Sequence, residues 1–295
     1  MPLWERIARE IGALTNATVV VEAVEPVGGG CINQTYRLRS GKRDYFVKLN
    51  ERDVLGLFQA EAAGLLELGQ AGAIRTPAPV CCGLTEEHAY LVLEYLDLRR
   101  PREGAVFRAL GGQLAALHRL TGPFFGWRRD NTIGATPQPN PPSQHWVSFW
   151  RQQRLGFQLD LAARRGYTGV LQQRGDRLRT ELGAFFTGHE PAASFLHGDL
   201  WSGNVACDAQ NNPVLFDPAV YYGDRETDVA MTELFGGFGP DFYAAYQDAF
   251  PLQKEYRTRR TLYNLYHVLN HLNLFGGGYL TQAQRMVDQL LAELR

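Results

Sequence analysis

The chain has 295 residues, 45% of them hydrophobic and 21% charged, with a formal net charge of −1. That length suits one large domain or two modest ones, and the near-neutral balance gives no reason to expect a nucleic-acid or acidic-membrane partner. No stretch approaches the roughly 18 consecutive apolar residues of a spanning helix, and the opening M-P-L-W-E-R-I-A-R-E has no h-region, so a cytoplasmic location is expected.

Trp4, Ile7, Ala8, Ile11 and Leu14 recur at helical spacing and predict an amphipathic first helix. Residues 17–27 read as a Val-rich strand, followed by the turn Gly28-Gly29-Gly30. Residues 31–38 and 45–49 read as two more strands joined by the Ser40-Gly41 turn. Residues 54–70 read as a helix, Pro77 and Pro79 break the pattern, and 88–94 (H-A-Y-L-V-L-E) read as a buried strand. Beyond Glu94 helical patterns dominate, near 103–120, 145–165, 168–187, 225–235, 240–250, 254–272 and 281–294. The proline-rich stretch 134–142 should hold no regular structure. A β-rich segment followed by a longer helical one predicts an α+β fold: a small N-terminal nucleotide-binding lobe, 1–94, and a larger catalytic and substrate-binding lobe, 95–295. Cys31, Cys81, Cys82 and Cys207 form no C-x-x-C pair, so zinc and dithiol chemistry are not indicated.

The most informative stretch is His197-Gly198-Asp199-Leu200-Trp201-Ser202-Gly203-Asn204, followed by a short strand pattern, P-V-L-F, that ends at Asp217. Phosphoryl transfer needs a carboxylate beside the attacking hydroxyl and oxygen ligands for the Mg²⁺ that accompanies a triphosphate. Asp199 suits the first task; Asn204 and Asp217 suit the second. An Asp and an Asn in an ordinary turn would match the spacing alone, but the ordered set of His, Gly, Asp, Asn and a second Asp after a strand assembles several parts of one site.

The earlier half supplies the complement. Lys48, late in F-V-K-L, can reach the α- and β-phosphates of ATP. Glu61 lies on the following helix beside Phe58, Leu65 and Leu68, where an unpaired carboxylate is costly. A Lys48–Glu61 ion pair would relieve that cost and orient the lysine. Gly28, Gly29 and Gly30 can bring backbone N–H groups close to phosphates, although such runs are often plain turns. Glu94, Tyr95 and Leu96 mark the change of character, where extended backbone could meet an adenine edge or simply link two lobes. Asp224 is a candidate N-cap, and Asp228 could hold the backbone N–H groups of the catalytic loop. His197 is expected to brace that loop, and His118 and His145 to be packing residues.

At these residues the chain resembles the fructosamine-3-kinase (ketosamine-3-kinase) family, relatives of the aminoglycoside phosphotransferases. The resemblance runs over most of the chain: G-G-G-C-I-N-Q-T-Y, F-V-K-L, L-E-Y-L, N-T-I-G-A-T-P-Q-P-N at 131–140, H-G-D-L-W-S-G-N, and the block from Asp217 through Phe238. It implies a bilobal protein-kinase-like fold and ATP- and Mg²⁺-dependent phosphorylation of the 3-hydroxyl of ketoamine sugar adducts, free or protein-bound, as a deglycation step. It carries over Asp199 as the base, Asn204 and Asp217 as metal ligands, Lys48 and Glu61 as phosphate-holding residues, and Trp201 as part of the sugar site. D-P-A at 217–219 stands where protein kinases have D-F-G, which fits the small-molecule branch. Cys31, at the end of the glycine turn, is a candidate redox thiol, since neighbouring N–H groups favour the thiolate; a small strand residue is the plain alternative. Two other readings stand beside the ketoamine kinase: a kinase of the same fold for an aminoglycoside, choline or homoserine, and a nucleotide-binding pseudokinase. The second would normally lack Lys48, Asp199, Asn204 or Asp217, all of which are present. Monomer and homodimer are equally compatible with the sequence.

Overall fold

The computed structural model describes residues 2–28, 33–41, 43–102 and 104–294. The chain divides into two compact units, Met1–Arg102 with Val205–Pro218, and Glu103–Asn204 with Ala219–Arg295. A single cut at residue 94 was expected from sequence. The contact boundary falls eight residues later, and the hairpin after the catalytic loop returns to the first unit. Nothing in local periodicity marks such a return.

The first unit opens with helix α1 (Leu3–Thr15), then strands β1 (Ala23–Pro26), β2 (Gln34–Arg39) and β3 (Tyr45–Glu51), helix α2 (Leu55–Ala71), and strands β4 (Pro79–Leu84) and β5 (His88–Glu94). The five strands form one antiparallel sheet in the order β1-β2-β3-β5-β4. Side chains alternate across a sheet, so residue parity decides which face each one meets. Tyr45, Val47 and Leu49 of β3, with Tyr90 and Val92 of β5, pack against Ile7 and Ile11 of α1. Ala89, Leu91 and Leu93 point the other way, onto Phe58 and Leu65 of α2. Because β5 is covered on both faces, its sequence is a continuous apolar run rather than an alternating one. The same parity sends Lys48 to the α2 face.

Three local expectations needed correction. Leu14 keeps the helical spacing of α1 but is 63% exposed, because it falls on the last turn, beyond the sheet. The break read at Pro77 and Pro79 hides strand β4, in which Pro79 is the first residue, where its missing N–H does little harm. The long first strand shrinks to Ala23–Pro26. Cys81 lies on β4, where burial pushes its thiol up to about 12 and leaves it a packing residue.

The second unit contains α3 (Gly104–His118), the hairpin β6 (Asn131–Ile133) and β7 (Thr136–Gln138), α4 (Trp146–Phe149), a π-helical turn over Trp150–Gly156, α5 (Phe157–Arg164) and α6 (Val170–Glu181). Strand β8 (Ser194–Leu196) leads into the H-G-D loop. The hairpin β9 (Val205–Cys207) and β10 (Pro213–Leu215) belongs to the first unit, tied there by Leu215 N–H to the Arg75 carbonyl at 2.9 Å. The second unit resumes with β11 (Tyr221–Gly223), which pairs antiparallel with β8, then α7 (Glu226–Leu234), α8 (Pro240–Ala249), α9 (Tyr256–Phe275) and α10 (Leu280–Glu293). The 20-residue α9 is the spine of this unit: Leu262, Tyr263, Leu265, Tyr266, Val268, Leu269 and Leu272 are all buried. Among the described residues no helix is long and apolar enough to cross a membrane.

A buried ionic cluster joins α7 to α9. Arg259 grips Glu226 with two nitrogens, at 2.7 and 3.0 Å. Asp224 accepts from Tyr263 Oη at 2.5 Å, from the Glu226 N–H at 3.0 Å, and contacts His189 Nε2 at 2.6 Å. Protein donors therefore fill the acceptor oxygens of both acids, and the cluster reads as structural cement rather than as a metal site. Burial alone would lower the His189 imidazole, but the hydrogen bond and charge of Asp224 raise it above its ordinary value. Burial drives His267 the other way, to about 3.

The signs of these two shifts predict the pH profile of stability. His267 is neutral when folded, so its contribution is complete above the unfolded value near 6.5 and is lost as pH falls below it. His189 gives its contribution below that value and loses it as pH rises through its raised folded value. Thermal stability should therefore peak near pH 6.5. By pH 5 the His267 effect alone should remove roughly 1–2 kcal/mol, and His267→Asn should flatten this acid limb. Melting curves of the two proteins from pH 5 to 8 check this; an acid limb identical in both would exclude His267 as its source.

Candidate active site

Lys48 projects from β3 toward α2 and is 5% exposed. Its Nζ donates to Glu61 Oε1 and to Asp217 Oδ1, each at 2.6 Å. Glu61 comes from α2 and Asp217 from the end of the returning hairpin, so residues 169 apart in sequence converge on one ammonium. Burial would lower that ammonium, but Asp217 and then Glu61 more than offset it and hold Lys48 above its ordinary value. Burial raises the Glu61 carboxyl, an effect that Lys48 partly opposes. An ammonium carries three donors. Two are spent on these carboxylates.

Asp217 is also a backbone outlier. Its φ is +53°, in the left-handed region that a non-glycine residue rarely occupies. Such conformations persist where surrounding structure enforces them and cluster at functional sites. Its side chain is 50% exposed, so one carboxylate oxygen faces Lys48 while the group as a whole remains open to solvent.

The candidate catalytic loop lies in the second unit, between β8 and the helical turn Ser202–Asn204. Asp228, one turn into α7, accepts the N–H of His197 at 2.7 Å and of Gly198 at 2.8 Å. Burial would raise its carboxyl, but His118, His197 and the Gly198 N–H hold it below the ordinary carboxylate value. His118 Nε2 lies 3.2 Å from Asp228, and its Nδ1 lies 2.8 Å from Tyr246 Oη, so this buried histidine steadies the loop's anchor. His197 is fully buried, and its Nδ1 accepts the Asp199 N–H at 3.3 Å. Gly198 has φ +83°, and a Cβ there would lie 2.0 Å from the Ala219 carbonyl, so only glycine fits.

Asp199 follows, half-buried. Asn204 Nδ2 donates to the Asp199 carbonyl at 2.8 Å and to its Oδ2 at 3.1 Å. That clamp orients the carboxylate. It also turns Asn204 so that the remaining side-chain atom is a carbonyl oxygen, a hard donor of the kind that Mg²⁺ takes. The Asp217 carboxylate is a donor of the same type. Trp201 sits two residues beyond Asp199, 37% exposed, and its ring covers Gly203, where a Cβ would come within 2.2 Å.

The block 131–140 proves to be scaffold for the segment after Asp217. Asn131 Nδ2 donates to the Val220 carbonyl at 2.8 Å, and Gln138 Nε2 to the Ala219 carbonyl at 3.1 Å. Asn140 and Gln138 both donate to Asn131 Oδ1 at 2.9 Å, and Tyr266 Oη donates to Gln138 at 2.7 Å. Strand β7 lies within the stretch expected to be irregular; Pro137 is tolerated there because β6 and β7 form an isolated two-stranded ribbon. Arg154, fully buried in the π-helical turn, donates to Asn140 Oδ1 at 2.6 Å and to the Pro139 carbonyl at 2.7 Å. Its guanidinium also lies over the Tyr221 ring at 4.2 Å. Sequence reading passed over Arg154. A signal was present: Trp146, Trp150, Arg154 and Gln158 recur every four residues, and a charged group on such a stripe must be buried with partners.

The other expected site residues are placed differently. Gly28 is exposed just after β1, while Gly29, Gly30 and Cys31 lie outside the described residues. Glu94 spends its side chain on Arg75 at 2.6 Å and on the Ala78 N–H at 3.2 Å, and its own N–H on the Ala78 carbonyl. Its role in this structure is therefore to close the sheet edge. Tyr95 stacks under the Arg37 guanidinium at 4.4 Å, and Leu96 follows, half-buried and outside regular secondary structure.

Comparison with known proteins agrees with this chemistry. The description of the fructosamine kinase family matches residues 3–293. A chain named probable ketoamine kinase in Synechocystis sp. is 47% identical over 98% of this chain and 97% of its own length. The chloroplastic protein-ribulosamine 3-kinase of Arabidopsis thaliana is 40% identical over 100% of this chain and 89% of its own. A crystal structure of a fructosamine-3-kinase family protein from Haemophilus somnus 129PT superposes with a TM-score of 0.89 at 28% identity, covering 98% of this chain and 97% of that one. With a lysine–glutamate pair from β3 and α2, a braced Asp199 and a match over nearly its whole length, the chain belongs to the fructosamine kinase family.

Proposed function

We propose that this enzyme transfers the γ-phosphoryl group of ATP to the 3-hydroxyl of ketoamines of the fructosamine and ribulosamine type, in the cytoplasm and with Mg²⁺. The observation that carries the reading is the buried Lys48, held by Glu61 and Asp217 at 2.6 Å each, in a chain of this family. Lys48 presents its third N–H to the phosphates, and Glu61 fixes its direction. Asp217 and the Asn204 carbonyl oxygen would hold the metal, which neutralises charge on the phosphates when bound. Asp199, clamped by Asn204, accepts the proton of the attacking hydroxyl. Tyr95 and Leu96 offer backbone to the adenine edge. The phosphorylated ketoamine is unstable and sheds its sugar, so the net result is deglycation of an amine. The near-neutral net charge is consistent with partners that are neither nucleic acid nor membrane.

ATP consumption by the purified protein with fructose- and ribulose-derived ketoamines tests the reading, with an aminoglycoside and choline as controls. Turnover confined to the ketoamines is the expected result. Turnover of a control with none of the ketoamines would refute the substrate class.

A further inference from the structure

A pocket of about 420 Å³ opens between α7, α8 and the start of α9. Its size falls within the roughly 300–1,000 Å³ of small-molecule sites. Three of its walls are tyrosines, Tyr243, Tyr246 and Tyr256, and all three hydroxyls are engaged. Tyr243 Oη accepts the Phe238 N–H at 3.1 Å, Tyr246 Oη accepts from Arg225 at 3.0 Å, and Tyr256 Oη donates to Glu233 Oε1 at 2.6 Å. Burial and the Glu233 carboxylate push the Tyr256 phenol up, so it keeps that proton. The tyrosines therefore offer ring surface rather than polar atoms, which suits a flat apolar body.

The lining groups with polar capacity to spare are all donors. Glu233 is filled, by Tyr256 on one oxygen and by Arg260 on the other. Gln247 Oε1 accepts the Leu252 N–H at 3.0 Å, which leaves the amide NH₂ as its free end. Arg260 gives one nitrogen to Glu233 and keeps further N–H groups. Arg257 is exposed and makes no hydrogen bond or ion pair among the described residues. Two guanidiniums and an amide NH₂ at one pocket recognise an anion, and the planar arginine fork matches a carboxylate. Charge decides between a carboxylate and a doubly charged phosphate. Arg257 and Arg260 against Glu233 leave one net positive charge, the complement of a monoanion.

The pocket also touches the support of the candidate catalytic loop. Tyr246 Oη lies 2.8 Å from His118 Nδ1, and His118 Nε2 lies 3.2 Å from Asp228. Asp228 in turn holds the N–H groups of His197 and Gly198. Val229, the neighbour of Asp228, lines the pocket as well. A ligand packed on Tyr246 and Val229 binds only while α7 and α8 stay together, so by mass action it disfavours openings that release this anchor.

We infer that the pocket is an effector site for small aromatic monocarboxylates, and that occupancy steadies the candidate catalytic loop through Tyr246, His118 and Asp228. The inference does not depend on the identity of the phosphoryl acceptor.

The test is calorimetric titration of the full chain with indole-3-acetate, with neutral indole-3-acetamide and doubly charged phenyl phosphate as controls. The acid should bind with a Kd on the order of 0.1–1 mM, and both controls roughly 10-fold more weakly. Arg257→Ala, a change at an exposed and unpaired side chain that should fold normally, should weaken the acid about 5- to 10-fold, and Gln247→Leu should weaken it a few-fold. Saturating ATP should leave the affinity unchanged. Hydrogen exchange at the His197 and Gly198 amides should slow in wild type with the acid present, and not in Arg257→Ala at the same concentration. Absence of binding at 10-fold above the expected range, equal affinity for acid and amide, unaltered affinity in Arg257→Ala, or displacement by ATP would overturn the site. Tighter binding of phenyl phosphate would overturn the choice of a monocarboxylate. Unchanged exchange at saturation would overturn the link to the loop.

Discussion

Asp199→Asn should lower kcat by about 10²- to 10⁴-fold while leaving the affinity for ATP within a few-fold of wild type. The substitution keeps the shape of the side chain and an oxygen for the Asn204 Nδ2 donor, which lies 3.1 Å from Asp199 Oδ2. What it removes is the carboxylate proposed to take the hydroxyl proton. The loop itself should stay in place, because its anchors are backbone groups: the N–H of His197 and Gly198 on Asp228. Single-turnover assays, paired with nucleotide binding by calorimetry, separate the two effects. A variant that turns over at the wild-type rate would remove Asp199 from the base's role.

Lys48→Met should damage both catalysis and stability. The lysine side chain is 6% exposed and its partner Glu61 16%, so methionine would leave a buried carboxylate without its cation. Breaking a buried pair in this way costs on the order of 3–5 kcal/mol, less whatever Glu61 recovers by taking up a proton. Burial already raises the Glu61 carboxyl, so protonation is the accessible escape, and the variant should regain stability as pH falls from 8 toward 5. Adding Glu61→Gln should restore part of the lost stability without restoring activity, since the donor proposed for the phosphates is still missing. Denaturant titrations of the single and double variants at two pH values check the first claim, and KM for ATP checks the second. Full activity in Lys48→Met would refute the assignment of the phosphate-holding lysine.

Much of this chemistry is legible in short windows. The parity of β3 puts Lys48 opposite Val47 and Leu49, and the apolar neighbours of Glu61 put it on the inner face of α2. The catalytic loop is readable because glycine, aspartate and asparagine at fixed spacing have few other uses together. The 131–140 block stood out in sequence, but its purpose did not. Asn131 and Gln138 act on the carbonyls of Val220 and Ala219, more than eighty residues away.

By itself, the sequence determined the order of the main helices, the strands β2, β3, β5 and β10, the burial of β5, and the residue types that phosphoryl transfer requires. Those properties follow from side-chain chemistry and from the periods of 2 and 3.6, which act over a few residues. Only the tertiary structure decided that Asp217 takes a left-handed backbone and meets Lys48, that residues 205–218 return to the first unit, and that Arg154 is buried among carbonyls and rings. Each of these depends on closing a long loop and on packing between distant segments, and that free energy has no counterpart in any local window.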